Sequence, residues 1–331
     1  MKAILYPSKG QVLLADLPDP APGPDEVVIK VRASGLCHTD IDVLHARYGA
    51  GAFPVVPGHE YAGEVSVIGE SITGFSVGDR VVVDPNLSCG TCRACRKGRE
   101  NLCETLGAYG VSTNGGFAEL SVVKAANLHS IGDLSFEQAA LAEPMGCILN
   151  GVAALQPEPD DTALIIGAGP IGMLLAIGLR SKGLNRIILA DLDPARLEMA
   201  KGFGFEAVQS GTAQMAALSR QMDICADATG RPEVAASLIG YVTDGGSALF
   251  FGVCPPAARI EISPFEVFRR QLRLVGTHSL NRNIPDALDA IRSFGSEIDK
   301  LVSHRLSLAE VADILSAHAP AGSLKIQAAS A

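Results

Sequence analysis

TALIIGAGPIGMLLAIGLR, residues Thr162 to Arg180, decides the architecture, because it reads as a buried strand, a glycine turn and a helix that together cradle a diphosphate. Ala163 to Ile166 is short, apolar and partly β-branched, as a parallel strand covered on both faces requires. Gly167, Gly169 and Gly172 complete G-x-G-x-x-G, with Pro170 and Ile171 between the last two glycines. The glycines allow the tight turn, the approach of backbone to diphosphate, and close packing of helix on strand. A helix predicted over Ile171 to Arg180 aims its positive N-terminal end at the phosphates. Such a turn also occurs in ordinary strand-to-helix connections, but here a second strand, Arg186 to Ala190, ends on Asp191. An acid at that distance takes the ribose hydroxyls of NAD and repels the extra phosphate of NADP. Arg196, one turn into the next helix, offers a partial offset or an adenine-edge contact.

Around this centre the chain alternates strands and helices from Thr162 to about Val275: IILAD, a helix Pro194 to Gly202, DICADAT, a helix Pro232 to Ile239, then SALFFGV. That is the pattern of a doubly wound parallel sheet. Upstream, residues 1 to 35 are β-rich and broken by Pro18, Pro20, Pro22 and Pro24, and VGDRVVVD (Val77 to Asp84) suits a barrel-like antiparallel core. Ser135 to Leu141 reads as a capped helix; beyond Thr277 come a helix Ile284 to Phe294, a strand Leu301 to Leu306, a helix Leu308 to Ala317 and a closing strand Ser323 to Gln327.

At 331 residues the chain has room for two domains, and with 47% hydrophobic and 19% charged residues it has a large core to bury. No apolar run reaches membrane-spanning length, and the start MKAILYPSKG lacks the apolar core of a signal peptide, so the cytoplasm is the expected compartment. A net charge of -9 argues against nucleic acid and anionic membrane as partners. Four of the eight cysteines, Cys89, Cys92, Cys95 and Cys103, form C-x2-C-x2-C-x7-C. Four thiolates so spaced close a tetrahedral zinc shell with no open position, which is a structural staple. An iron–sulfur cluster uses similar spacings, but no proline follows Cys103 and no second cluster motif exists.

Cys37-His38-Thr39-Asp40, Gly58-His59-Glu60, the cysteine lobe, Gly115-Gly116-Phe117-Ala118-Glu119, Glu143-Pro144-Met145 and the Gly167–Gly172 turn occur in the order seen in zinc-containing medium-chain alcohol dehydrogenases. The chain resembles that family over nearly its whole length, and glutamate in an E-P context is similar to the polyol, sorbitol and threonine dehydrogenase branch. The resemblance implies an α/β fold, with a Rossmann domain over residues 154–277 inserted into a β-rich GroES-like catalytic domain formed by 1–153 and 278–331. It implies a catalytic zinc on Cys37, His59 and Glu143, with Glu60 beside them or exchanging in as a ligand, and a structural zinc on the lobe. Zinc lowers the pKa of a bound alcohol oxygen, and Thr39 is placed to accept the proton. Where many relatives end that proton relay on histidine, this chain has Asp42, with His45 nearby. Thr229 and Val253, closing two Rossmann strands, are expected at the cofactor.

The function expected is therefore hydride transfer from a secondary alcohol or polyol to NAD, in a homo-oligomer. The loop Leu44 to Phe53 and the neighbourhoods of Tyr109 and His278 are expected to select the alcohol. A zinc-free enone or quinone reductase predicts no ligands at positions 37, 59 and 143. A silent nucleotide-binding protein has no use for Thr39 or an open zinc site.

Overall fold

Valine- and isoleucine-rich segments form the strands, and in the N-terminal half they alternate faces. Val27, Ile29 and Val31 of one strand meet Tyr61, Val65, Val81 and Val83 of its neighbours in a buried cluster. The computed structural model describes residues 1–48, 52–317, 320 and 322–329, so residues 49–51 of the expected specificity loop lie outside it. The chain divides into two units: Met1–Glu143 with Asn281–Ala331, and Pro144–Leu280.

In the first unit the sheet runs in the order Val302–Leu306, Lys325–Ala329, Glu26–Gly35, Glu60–Ile68, Arg80–Val83, Leu128–Ser130, with Leu120–Lys124 also pairing with Glu26–Gly35. Two registers matter for the site. Gly35 pairs with Glu60, and Gln327 pairs with Gly35, so residues far apart in sequence converge where the chain leaves the sheet for Cys37. The helix read over Ser135 to Leu141 is shorter, Phe136–Ala139, closed by a reciprocal cap between Ser135 and Gln138.

The second unit holds a six-stranded parallel sheet in the order Glu206–Gln209, Arg186–Asp191, Thr162–Ile166, Met222–Asp227, Val242–Phe250, Arg273–Gly276. This is the doubly wound order, whose direction reverses between Thr162–Ile166 and Met222–Asp227, and the crevice at the carboxyl ends there is the ligand-binding place of such sheets. The strand Glu206–Gln209 and the helix Ala213–Ala216 are four residues each, too short for sequence periodicity to mark them. The division falls at residue 143/144, ahead of the 153/154 read from the sequence. The physical reason lies in the helix Ala142–Leu155: Ile148 packs so tightly on Gly178 that a Cβ there would sit 2.6 Å from its methyl.

Candidate functional site

Ligand-type atoms of Cys37, His59 and Glu60 lie within 4.8 Å of one another, the grouping a single ion requires. Cys37 caps the helix His38–Leu44, and the capping carboxylate, Asp40, is fully buried. One Asp40 oxygen accepts the Cys37 amide at 2.8 Å; the other accepts the Gly58 amide at 3.2 Å and lies 3.3 Å from Nδ1 of His59. A single carboxylate thus fixes the backbone beside two ligands and faces Nδ1 of the imidazole, which leaves Nε2 of His59 for a metal. Burial by itself would lower the His59 pKa, but the charges of Asp40 and Cys37 outweigh it and raise it.

Glu60 is 1% exposed and receives the ammonium of Lys325, itself 4% exposed, at 2.6 Å on Oε1. Lys325 also donates to the Leu36 carbonyl at 3.2 Å. Burial alone would lower the Lys325 pKa; Glu60, Cys37 and Glu143 together raise it. Glu143 is buried at 7% exposure, yet among the described residues it falls outside the Cys37–His59–Glu60 group. Thr39 is half-buried in the first turn beyond Cys37. Asp42 is instead engaged with Arg47 at 2.9 Å, and His45 is exposed at the end of that helix. The structure therefore gathers Cys37, His59 and Glu60 and leaves Asp42 and His45 at the rim. Sequence reading missed Asp40 and Lys325; a lone lysine inside the apolar run SLKIQAA was the available signal.

A thiolate, an imidazole and a carboxylate make a mixed donor set that suits zinc and leaves a position for substrate. The lobe fits a closed zinc shell equally well. Sγ of Cys95 lies 3.5 Å from that of Cys92 and 3.9 Å from that of Cys89. Tetrahedral zinc at ~2.3 Å from each sulfur places sulfurs roughly 3.8 Å apart. Amides of Thr91 and Cys92 pull the Cys89 thiol well below its ordinary value, while burial pushes that of Cys95 up. Cys95→Ser should lower the zinc content from two to one per chain and loosen residues 88–105 in hydrogen exchange. Hydride transfer per folded chain should persist, and its loss with the other zinc retained would contradict a structural role.

At the root of the lobe, burial pushes Asp84 up to about 6, against the amide of Asn86, with Glu100 adding to the rise. A carboxyl whose folded pKa lies above its ordinary value contributes stability below pH ~4 and loses it as pH rises through about 6. Asp84→Asn mimics the protonated form. It should stabilise the protein by about 1–2 kcal/mol at pH 7.5 and by nothing at pH ~4, measured by denaturant unfolding. Equal shifts at both pH values would refute this.

In the second unit, Gly172 packs against Gly167: a Cβ on it would lie 1.8 Å from the Gly167 carbonyl oxygen. The helix Pro170–Ser181 starts with proline and has Gly169 as a cap without a side chain, so its first amides face the crevice. Asp191 accepts the Ala168 amide at 2.7 Å on one oxygen and the Asp193 amide at 2.9 Å on the other. Nη1 of Arg196 stands 3.7 Å from Asp191, and its Nε 3.8 Å from Asp193. Thr229 is tied to Asp227, a buried acid the sequence reading passed over, and Val253 is 89% exposed.

A metal group with an open position and a dinucleotide cradle define a zinc-dependent dehydrogenase. Residues 23–133 match the alcohol dehydrogenase GroES-like domain and residues 170–293 the zinc-binding dehydrogenase domain. The chain is 54% identical over 318 residues to D-altritol 5-dehydrogenase of Agrobacterium fabrum, covering 94% of each chain. It superposes with a TM-score of 0.95 on a zinc-binding dehydrogenase of Sinorhizobium meliloti 1021 bound to NADP, at 31% identity and 99% coverage of both chains. An alcohol dehydrogenase of Escherichia coli CFT073 complexed with NADH follows at a TM-score of 0.90 and 27% identity, over 100% of this chain and 99% of that one. The chain belongs to the zinc-containing medium-chain alcohol dehydrogenase family, on its polyol side.

Proposed function

We propose that the chain oxidises a secondary hydroxyl of a polyol to the ketone, with NAD accepting the hydride and a proton leaving to solvent. The observation that carries this reading is the Cys37–His59–Glu60 group with Thr39 beside it. Zinc, when bound, supplies the Lewis acidity that makes the hydroxyl acidic enough to react. Cys37, His59 and one of Glu60 and Glu143 would hold it. Asp40 keeps the first two in place, and Lys325 balances the charge of Glu60. Thr39 accepts the hydroxyl proton and passes it outward. Gly167, Gly169, Pro170, Ile171 and Gly172 cradle the diphosphate, while Asp191 accepts ribose hydroxyls and disfavours a 2'-phosphate, with Arg196 a partial offset.

A homodimer or homotetramer belongs to the same reading. Arg273–Gly276 ends the sheet order, and Phe268, 80% exposed, lies near it with Phe265. So does a cytoplasmic location, which eight free cysteines suit. Among the described residues no helix is long and apolar enough to cross a membrane. Following reduced-cofactor absorbance with polyols, secondary alcohols and amino alcohols, each with NAD and NADP, tests the assignment. The highest kcat/KM should fall to a polyol with NAD and vanish on removal of zinc. A higher kcat/KM with NADP would overturn the role of Asp191, and zinc-independent turnover would overturn the mechanism.

A further inference from the structure

We infer that Asp227 is a positioning residue for the dinucleotide, acting through the turn Ala228–Gly230; this rests on reading Gly167–Gly172 as its cradle. Asp227 ends the strand beside Thr162–Ile166 and is 0% exposed. Its Oδ1 accepts the Thr229 amide at 2.7 Å and the Thr229 hydroxyl at 2.6 Å, and its Oδ2 the Gly230 amide at 3.3 Å. Among the described residues no cation pairs with it. Its backbone carbonyl accepts the Gly252 amide at 2.8 Å.

The turn so held is wedged between two loops at the carboxyl end of the sheet. A Cβ on Gly167 would meet the Thr229 methyl at 2.9 Å, and one on Gly230, at φ +68°, would meet the Val253 carbonyl at 2.5 Å. A Cβ on Gly252 would come within 2.2 Å of the Gly230 nitrogen and 2.9 Å of Oδ2 of Asp227. Three loops of neighbouring strands are therefore in contact with no slack, and the one on the cradle touches the first glycine of its motif. The position of the Thr229 methyl sets the wall opposite Gly167.

A buried carboxylate is costly unless donors surround it, and here three donors come from one turn. It has a second effect: the Thr229 and Gly230 amides and the Thr229 hydroxyl all point inward, so the turn presents a methyl rather than donors on its cradle side. Asparagine cannot replace it. One of its two positions would be an NH2 group facing an amide or hydroxyl donor, and the turn would have to rotate to relieve that clash.

The test is direct titration of NADH fluorescence on zinc-replete protein, alongside steady-state kinetics. Asp227→Asn should weaken NADH binding at least about 10-fold and raise the KM for NAD equally, with kcat and the polyol KM at saturating NAD within about two-fold of native. Thr229→Val, which keeps a methyl and loses one bond to Asp227, should weaken NADH about three-fold without loss of fold and serves if Asp227→Asn does not fold. Thr229→Ser, which keeps that bond, should keep the turn's thermal stability. NADH binding within two-fold of native in folded Asp227→Asn, or in Thr229→Val where that is the variant tested, overturns the inference, as does an equal loss in polyol KM and kcat. Native protein that binds neither NADH nor NADPH overturns instead the cradle reading beneath it.

Discussion

Replacing His59 with alanine should drop kcat with the best polyol by more than about 10³-fold while NADH binds within about two-fold of native. The imidazole is the nitrogen donor of the group, and the Asp40 carboxylate lies 3.3 Å from its Nδ1. Without it, Cys37 and Glu60 retain only a weakened two-donor site, and the Lewis acidity that makes an alcohol reactive is lost. The glycine cradle belongs to the other compact unit, so dinucleotide affinity is an independent readout. Elemental analysis should find one zinc per chain, the lobe's. A folded variant that keeps more than about a tenth of native turnover with one zinc would remove His59 from the mechanism.

The second large effect is on stability. Lys325→Met should cost the zinc-depleted protein about 3–5 kcal/mol at pH 8, because Glu60 is left charged in the interior. The Glu60 carboxylate helps raise the Lys325 pKa, so the native pair's contribution is present at neutral pH and is lost only as pH rises through that raised value. Adding Glu60→Gln should recover most of the loss, since a buried pair removed whole costs far less than one broken. Denaturant unfolding of the two single variants and the double variant checks this. A single-variant cost below about 1 kcal/mol, or a double variant no better than the single, would mean the pair carries little.

What could be read from the sequence was local. G-x-G-x-x-G, Asp191 and the four-cysteine spacing need only neighbouring residues to make sense, and the structure places them in a strand–turn–helix unit and a sulfur cluster. Cys37 and His59 became a pair only through resemblance, because the register that joins them, Gly35 on Glu60, lies in strand pairing. Which glutamate stands with them was not legible: both are buried acids beside plausible ligands, and only the fold brings Glu60 within reach. Asp227 offered no local signal for the same reason, and Lys325 only that of a lone lysine in an apolar run. Each is an unremarkable residue in an apolar strand until burial makes its charge a commitment. Asp42 illustrates the converse, since it stands where many relatives carry the relay histidine, while its partner is Arg47.

The pairing of Glu60 with Lys325 spans 265 residues. On a ribosome adding roughly 5–20 residues per second, that interval is about 15–50 s during which a finished N-terminal segment holds an acid with no counter-charge and a strand, Glu26–Gly35, with no C-terminal neighbour. The inserted cofactor unit is continuous in sequence and can close in that time. The catalytic unit cannot, so nascent chains carry an open sheet edge until Lys325–Ala329 has been made, and truncation near residue 320 should yield aggregates rather than a shortened enzyme.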